Sequence, residues 1–572
     1  MTEHDRGRHV RAGRRPWLGV ASAAVLCCLA AGAARAQTLA GSVRSAAEGA
    51  MEGVLVSAQK AGSPVTVTVV SDEHGRFRFP DGRLAPGRYA LRIRAVGYDL
   101  AGPHAVELGA APAEVALELD RTADLAAQLT NTEWFMSMPG TPEQKRPLLE
   151  CMSCHTLERI VRSTYDADAL VPLLKRMAQY ANNTTQGRVQ PRIAEREVRD
   201  DLAQRLADYL ATVNLSAAAK SPAGAAPTSV PSSVPTWPYE LQTLPRPKGR
   251  ATHVVITEYD LPRATIAPHD VRTDAQGNVW YSNFVENFLG ELDPRTGANH
   301  DYAIPVLKPD FPTGTLDLEA DADGNLWLGM MFQAGLAKFD MKTRTFQVFP
   351  VQPGLNDSAT QQSMVMPRAF AVDGKVWSND VARQSIMRLD LKTGQYERID
   401  PFKLLHTGHQ HSPYGMAADA GNNLYFMDFG DENIGRVDAR TGATTIYPTP
   451  TPKSRPRRTM LDDRGRLWFT EFAADKLGMF DTKTESFKEW KVPTPHTYPY
   501  DVFMDKNGEL WSGGMASDRV LRFDPQSGRS VEYLLPRPTN IRRVFVDNST
   551  SPVTFWAGNN HGAAIIRLEP LD

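Results

Sequence analysis

The sequence predicts a multidomain, mainly β protein: a β-sandwich, then an α-helical domain, then a seven-bladed β-propeller. Three observations carry this expectation. A turn followed by an aromatic residue recurs through the C-terminal half, reaching positions 280, 327, 377, 425, 468, 511 and 556 in steps of 43 to 50 residues, the length of one four-stranded blade. Residues 37–121 alternate apolar and polar side chains with period two, as in Val65-Thr66-Val67-Thr68-Val69-Val70. Between them, residues 122–215 carry apolar side chains at helical spacing. The chain of 572 residues exceeds a single core, at roughly 150 residues per domain. Its formal charge of −2 gives no basic footprint, which excludes nucleic acid as an expected partner.

The N-terminus reads as an export signal. Arg6, Arg8, Arg11, Arg14 and Arg15 precede the apolar run Trp17 to Ala34, and Ala34-Arg35-Ala36 offers small residues for cleavage before Gln37. Residues 1–36 are therefore expected to be removed and the mature chain to be periplasmic. No later run of apolar residues is long enough to span a bilayer. Cys27 and Cys28 leave with the signal, so Cys151 and Cys154 are the only cysteines of the mature chain.

In residues 37–121, turn signals at His74-Gly75 and Pro86-Gly87 separate strands such as Phe77-Arg78-Phe79 and Tyr89-Ala90-Leu91-Arg92-Ile93. The run Gly75-Arg76-Phe77-Arg78-Phe79, then Gly87-Arg88-Tyr89-Ala90-Leu91, then Gly97-Tyr98 resembles the carboxypeptidase regulatory-like domain of secreted bacterial proteins. The resemblance implies a seven-strand sandwich for docking or scaffolding, without catalytic residues.

Residues 122–215 contain Cys151-Met152-Ser153-Cys154-His155. In C-x-x-C-H two thiols can add to the two vinyl groups of a haem while the adjacent imidazole meets the iron. A zinc site needs two more ligands nearby, and a redox dithiol needs a thioredoxin-like context; neither appears in the sequence. One covalent haem c is expected on Cys151 and Cys154, with His155 as iron ligand. Helices are expected over Asp166 to Tyr180 and Glu195 to Val213. The stretch resembles cytochrome c domains, and its spacing resembles the haem domains of quinohaemoprotein dehydrogenases, which have a Met-containing helix where Lys175-Arg176-Met177 stands. Met177 is the candidate sixth ligand, with Met136 and Met138 as competitors.

Residues 216–245, rich in Ala, Pro and Ser at their start, read as a flexible linker before a propeller over 246–572. Val254-Val255-Ile256-Thr257-Glu258-Tyr259 has the pattern of an outer strand and is expected to complete the last blade, which otherwise ends at Leu568 without one. Leu467-Trp468-Phe469-Thr470-Glu471, Ile434-Gly435-Arg436-Val437 and Pro413-Tyr414-Gly415-Met416 resemble streptogramin B lyase, also called virginiamycin B lyase, a seven-bladed propeller that opens cyclic depsipeptide antibiotics with a metal-assisted histidine base. That family places Pro-His pairs at the starts of late blades. Here Pro268-His269 opens the first blade, while later ones begin Pro456-Arg457-Arg458 and Pro499-Tyr500-Asp501, so His269 and Glu471 match only pieces of the motif.

Residues that start the first strand and end the second strand of each blade share one rim: His269 and Asn283, Arg368 with Asn379 and Asp380, His411 and Asp428, Arg457 and Glu471, Tyr500 and Asp501, Arg543 with Asn560 and His561. His269, His411, Arg457 and Glu471 are expected to meet in one central cleft. The run His406, His409, His411 has spacing suited to a divalent metal, and Arg368, Arg457, Arg458, Arg542 and Arg543 suit a small anionic ligand. Three functions fit these features. One is a periplasmic c-type cytochrome that passes electrons from a donor at the propeller, with an electron donor or acceptor protein as partner. The others are a lyase-like or other non-redox enzyme, and a haem-bearing binding or sensory scaffold.

Overall fold

The computed structural model describes residues 38–572 except 110, 221–234, 404, 406–407 and 409, so the expected signal and the side chains of His406 and His409 lie outside the described residues. Among the described residues no helix is long and apolar enough to cross a membrane.

The architecture is mainly β. Six sheets of four strands follow one another, from Pro268–Thr273 to Ser530–Leu534, each an antiparallel meander. The seventh blade is Ile541–Asp547, Thr554–Asn559 and Ala564–Pro570, and its outer strand is Val254–Asp260, in register from Val254 opposite Pro570 to Asp260 opposite Ala564. The ring thus closes with a strand from its beginning, as the sequence predicts.

The recurring turn has a physical cause. Asp274 accepts the backbone N–H of Gln276 and Asn278 on Oδ1, while Oδ2 accepts the Trp280 indole N–H at 2.9 Å. One carboxylate thereby shapes the hairpin and satisfies the polar atom of a fully buried tryptophan. Asp321, Asp462 and Asp505 repeat this with Trp327, Trp468 and Trp511 at 2.9 to 3.0 Å. Gly277 takes φ 81° in the turn, where a side chain would be strained. The buried tryptophans then fill the space between blades.

The N-terminal sandwich pairs Leu39–Ser45 in parallel with Ala113–Arg121 in one sheet. Its other sheet contains Val65–Val70, which also pairs with Val254–Asp260, from Val255 opposite Val69 to Tyr259 opposite Val65. Sandwich and seventh blade therefore share one eight-stranded sheet, and the sandwich covers the edge the closing strand would otherwise present. The sequence alone suggests two separate units here.

The helical segment contains Asn131–Ser137, Leu148–Cys151, Ala167–Ala178 and Asp200–Val213 among its helices, matching the expected spans to within a few residues. Thr130 and Glu133 form a capping box on the first. The segment lies across the propeller face where first strands begin. Thr132 N–H donates to Ala516 O at 3.0 Å, its hydroxyl to His496 O at 2.7 Å, and Gln190 Nε2 to Thr313 O at 3.0 Å. Its buried residues Trp134, Leu148 and Met152 belong to one apolar cluster with Met331, Tyr414 and Tyr500 of the propeller.

One expected feature is corrected. The stretch 216–245 is not a free linker along its length: it begins in the helix Leu215–Lys220, and its end packs on the helical segment. Trp237 meets Trp134 edge-on at 5.0 Å, the Tyr239 hydroxyl donates to Val213 O at 2.7 Å, and Leu244 N–H donates to Glu133 at 2.7 Å. The reason is burial of two aromatic rings that stand in an otherwise small and polar stretch.

Candidate functional site

The site is built by a repeated irregularity. In five blades the pairing of first and second strands slips by one residue, between Pro268 and Val271, Pro413 and Met416, Pro456 and Thr459, Pro499 and Val502, and Ile541 and Val544. A bulge of this kind frees two consecutive residues from the alternation of a flat strand. His269-Asp270, Tyr414-Gly415, Arg457-Arg458, Tyr500-Asp501 and Arg542-Arg543 occupy the bulges, so adjacent residues furnish two rings around the axis. Gly415 is required where it stands, because a Cβ there would lie 2.3 Å from Arg457 O.

The inner ring is charge-paired. Arg458 Nη1 donates to Asp317 Oδ1 at 2.6 Å and Nη2 to Asp270 Oδ1 at 3.2 Å. Arg543 Nη1 donates to Asp317 Oδ1 at 2.8 Å and to Asp270 Oδ2 at 3.1 Å, and its guanidinium also reaches Glu319 and, at 3.5 Å, Asp501. Burial pushes Asp501 up to about 6 despite Arg543 and Arg458 beside it. Every cation in this ring has a carboxylate.

The mouth ring differs. His269 is fully buried, and burial, reinforced by Arg542, Arg458 and Arg457, holds its pKa well below the usual histidine range. The neutral ring donates from Nδ1 to Asp270 Oδ1 at 2.6 Å, so Nε2 accepts from the Tyr500 hydroxyl at 3.2 Å. Tyr414 completes the chain, its hydroxyl 2.6 Å from that of Tyr500. Burial alone would raise Tyr500; Arg457, Arg542 and Arg458 outweigh it and lower the phenol, whereas burial raises Tyr414. The order Tyr414 to Tyr500 to His269 to Asp270 is a continuous hydrogen-bonded relay.

Arg457 and Arg542 flank it, 7% and 2% exposed. The Arg457 guanidinium lies 3.7 Å from the Tyr500 ring centre, 4.3 Å from Phe429 and 4.4 Å from Phe472. Arg542 lies 5.5 Å from Phe284 and 5.6 Å from Tyr500, and donates from Nη2 to Ser153 O at 2.8 Å. Among the described residues neither has a carboxylate within 4.0 Å, and Nε of each is buried without a hydrogen-bond partner.

Directly on this ring sits the C-x-x-C-H turn. Asn540 Nδ2 donates to Met152 O at 3.1 Å, and His561 Nε2 lies 3.2 Å from Ser153 O. Cys154 and His155 N–H both donate to Cys151 O, at 3.2 and 3.3 Å, which places the two thiols and the imidazole on one helical turn. The cysteines are unpaired; burial pushes the Cys151 thiol up to about 12 and raises that of Cys154. Burial lowers His155, keeping the imidazole neutral, and its Nδ1, 3.0 Å from Thr156 O, donates there and leaves the lone pair on Nε2. A cavity beside Cys154 is lined by Thr156, Gln186, Ile266, Thr539 and His561. Two protonated thiols and an oriented neutral imidazole are the donor set that covalent haem attachment needs. Met177 stands on the last turn of Ala167–Ala178 and is 37% exposed, whereas Met138 and Met152 are buried in the core.

Of the four residues expected in one cleft, His269 and Arg457 meet through Tyr500; His411 and Glu471 do not join them. His411 stacks on Phe402 at 4.2 Å and pairs with Asp428 at 2.7 Å. Asp428 also accepts Ser412 N–H, Gly430 N–H and Asn433 Nδ2, so it caps a loop. Asn283 and Asn379 cap loops likewise, with Asn379 Oδ1 accepting Ser363 and Met364 N–H at 2.9 Å. This column ends second strands, and its side chains turn back to their own loops rather than to the axis. His411, Asp428 and Asp431 have ligand atoms within 4.8 Å of one another; of the expected run His406, His409, His411 only His411 belongs to this group among the described residues. Glu471 pairs opposite Pro456 in the same column, fully buried with no hydrogen-bond partner on either oxygen; burial and Glu489 raise it to about 8. Asp270, Asp317, Tyr414 and Phe284 are not among the residues expected from sequence; Asp270 and Tyr414 reach the axis through the bulges.

Comparison with known proteins agrees with this architecture. Residues 402–571 match the virginiamycin B lyase family and residues 38–129 the carboxypeptidase regulatory-like domain. Among solved structures the chain is similar to selenomethionine-substituted virginiamycin B lyase from Staphylococcus aureus, at 20% identity over 55% of this chain and 99% of that one with TM-score 0.47. A streptogramin B lyase gives 21%, 56%, 99% and 0.48. A catalytically inactive virginiamycin B lyase from Staphylococcus aureus with quinupristin gives 19%, 55%, 99% and 0.47. No curated protein matches. The chain carries a virginiamycin B lyase-like propeller and a carboxypeptidase regulatory-like N-terminal domain.

Proposed function

We propose that this chain is an exported, periplasmic c-type cytochrome whose propeller binds the electron donor. Cys151 and Cys154 would hold one haem c by thioether bonds, and His155 and Met177 are the residues that would ligate its iron. When bound, the haem supplies a one-electron carrier. The observation that carries this reading is the seat of the C-x-x-C-H turn: Ser153 O receives Arg542 at 2.8 Å, directly on the ring that holds Tyr500 and His269. A donor in the mouth ring would adjoin the attachment turn without an intervening domain. Tyr500 and His269 would orient the donor by hydrogen bonds, since Asp270 fixes the tautomer that leaves His269 Nε2 accepting from Tyr500. Met177 would supply the second iron ligand as a thioether that is partly exposed and not committed to the core.

The lyase-like reading rests on the match over residues 402–571. It finds less support at the axis, where the late blades present Arg457 and Tyr500 instead of histidines. The two readings separate in one experiment. The purified exported protein is oxidised, its visible spectrum recorded, and small phenolic and carboxylic reductants screened for bleaching of the oxidised spectrum. Reduction that disappears in Tyr500→Phe with haem content unchanged supports the proposal. A lyase activity untouched by Cys151→Ala/Cys154→Ala overturns it.

A further inference from the structure

We propose that Arg457 and Arg542 form a closed binding site for the carboxylate of a small aromatic acid at the mouth of the propeller channel. This deepens the reading of the propeller as the ligand-binding half, on which it rests.

Burying a guanidinium without a counter-ion is costly, and this fold supplies counter-ions where it needs them: Arg458 and Arg543, the next residues along, are each paired with Asp270 and Asp317. Arg457 and Arg542 have none within 4.0 Å among the described residues. Tyr500 offers no charge while it donates to His269. The two cations also repel each other, so the ring as it stands is an electrostatic host for an anion.

Shape narrows the class. Phe429, Phe472 and the Tyr500 ring crowd the guanidinium of Arg457 to within 4.4 Å of their centres. Such aromatic crowding favours contact along the guanidinium plane, where its Nε has no partner. An in-plane fork selects a planar two-oxygen acceptor over a tetrahedral one. Phe284, near Arg542, and Tyr414 add aromatic wall for a flat apolar body.

Calorimetric titration of the full exported chain with 4-hydroxybenzoate, and separately with inorganic phosphate, tests this. We expect 4-hydroxybenzoate to bind more tightly than phosphate. Arg457→Gln and Arg542→Gln should each weaken that binding by about 10-fold or more, whereas Arg464→Gln, on an exposed hairpin, should not. Should either glutamine variant fail to fold, the lysine variant keeps the charge but not the fork, and weakened binding is again expected. Absence of 4-hydroxybenzoate binding, equal binding by the variants, or tighter binding of phosphate overturns the inference. Haem absorbance recorded on the same samples separates the two ideas: a wild type that binds the acid but lacks haem defeats the cytochrome reading alone.

Discussion

The inner and mouth rings of the channel lie one residue apart on the same strands, yet they handle charge in opposite ways. In the inner ring Arg458 and Arg543 share Asp270 and Asp317 in a compact network of ion pairs. In the mouth ring Arg457 and Arg542 face aromatic rings, a tyrosine and a backbone carbonyl. A fold that can place carboxylates opposite arginines at one level, and does not at the next, separates holding the blades together from meeting something else. The first ring is tied by ion pairs across blades, and the second is the ring proposed to receive a ligand.

Removing a partner from the inner ring should have the largest effect. Asp317→Ala leaves Arg458 and Arg543 short of a counter-ion and should cost about 3–5 kcal/mol in urea unfolding. A loss below about 1 kcal/mol would mean that the network does not tie the blades together. Next comes Glu471, whose folded pKa stands near 8 against an ordinary 4.5. The native state holds this proton more tightly than the unfolded chain, so the wild type loses stability as pH rises from about 5 through 8, whereas Glu471→Gln has no such proton to lose. The variant should gain about 2–4 kcal/mol relative to wild type between pH 5 and pH 9. Parallel pH curves would show that Glu471 ionises normally. His411→Ala, which loses the Phe402 stack and one partner of Asp428, should cost about 1–3 kcal/mol and leave 4-hydroxybenzoate binding intact. Lost binding would return His411 to the central site. The smallest expected loss belongs to the mouth ring: Arg457→Met should not destabilise the fold and should raise stability by up to about 1–3 kcal/mol, because it removes a buried cation that has no carboxylate. A cost near that of Asp317→Ala would erase the distinction between the rings.

The blades were legible in the sequence because one physical device, an aspartate that shapes a hairpin and takes a tryptophan N–H, repeats with nearly fixed period. The closing strand was legible too, since Val254–Asp260 has an outer-strand pattern and no neighbour of its own in sequence. The central site was read only in part. The sequence pattern groups His269, Arg457, Tyr500 and Arg543 on one rim, whereas the bulges send Arg543 and Asp270 to the inner ring; Asp317, before an unbulged first strand, gives no such local sign. A signal is present: each of Pro268-His269-Asp270, Pro456-Arg457-Arg458 and Pro499-Tyr500-Asp501 puts two polar residues after proline, and the second residues Asp270, Arg458 and Asp501 balance in charge once Arg543 is added. His411, which precedes a first strand, is held aside by its stack on Phe402 and its pairing with Asp428, and Glu471, which ends a second strand, is buried beside Glu489 instead of in the ring. Nothing local announced that the Cys151 to His155 turn docks on Asn540, Arg542 and His561, since those contacts join residues far apart in the chain.

The proposal stands or falls on what Cys151 and Cys154 carry. The most direct test is intact-mass and peptide mass spectrometry of the mature full chain, produced by export in cells that mature c-type cytochromes. The account predicts one haem mass per chain, retained after denaturation, located on the peptide containing both cysteines, and absent from Cys151→Ala/Cys154→Ala. An unmodified mass for the wild-type chain, with both thiols free or joined to each other, would contradict it.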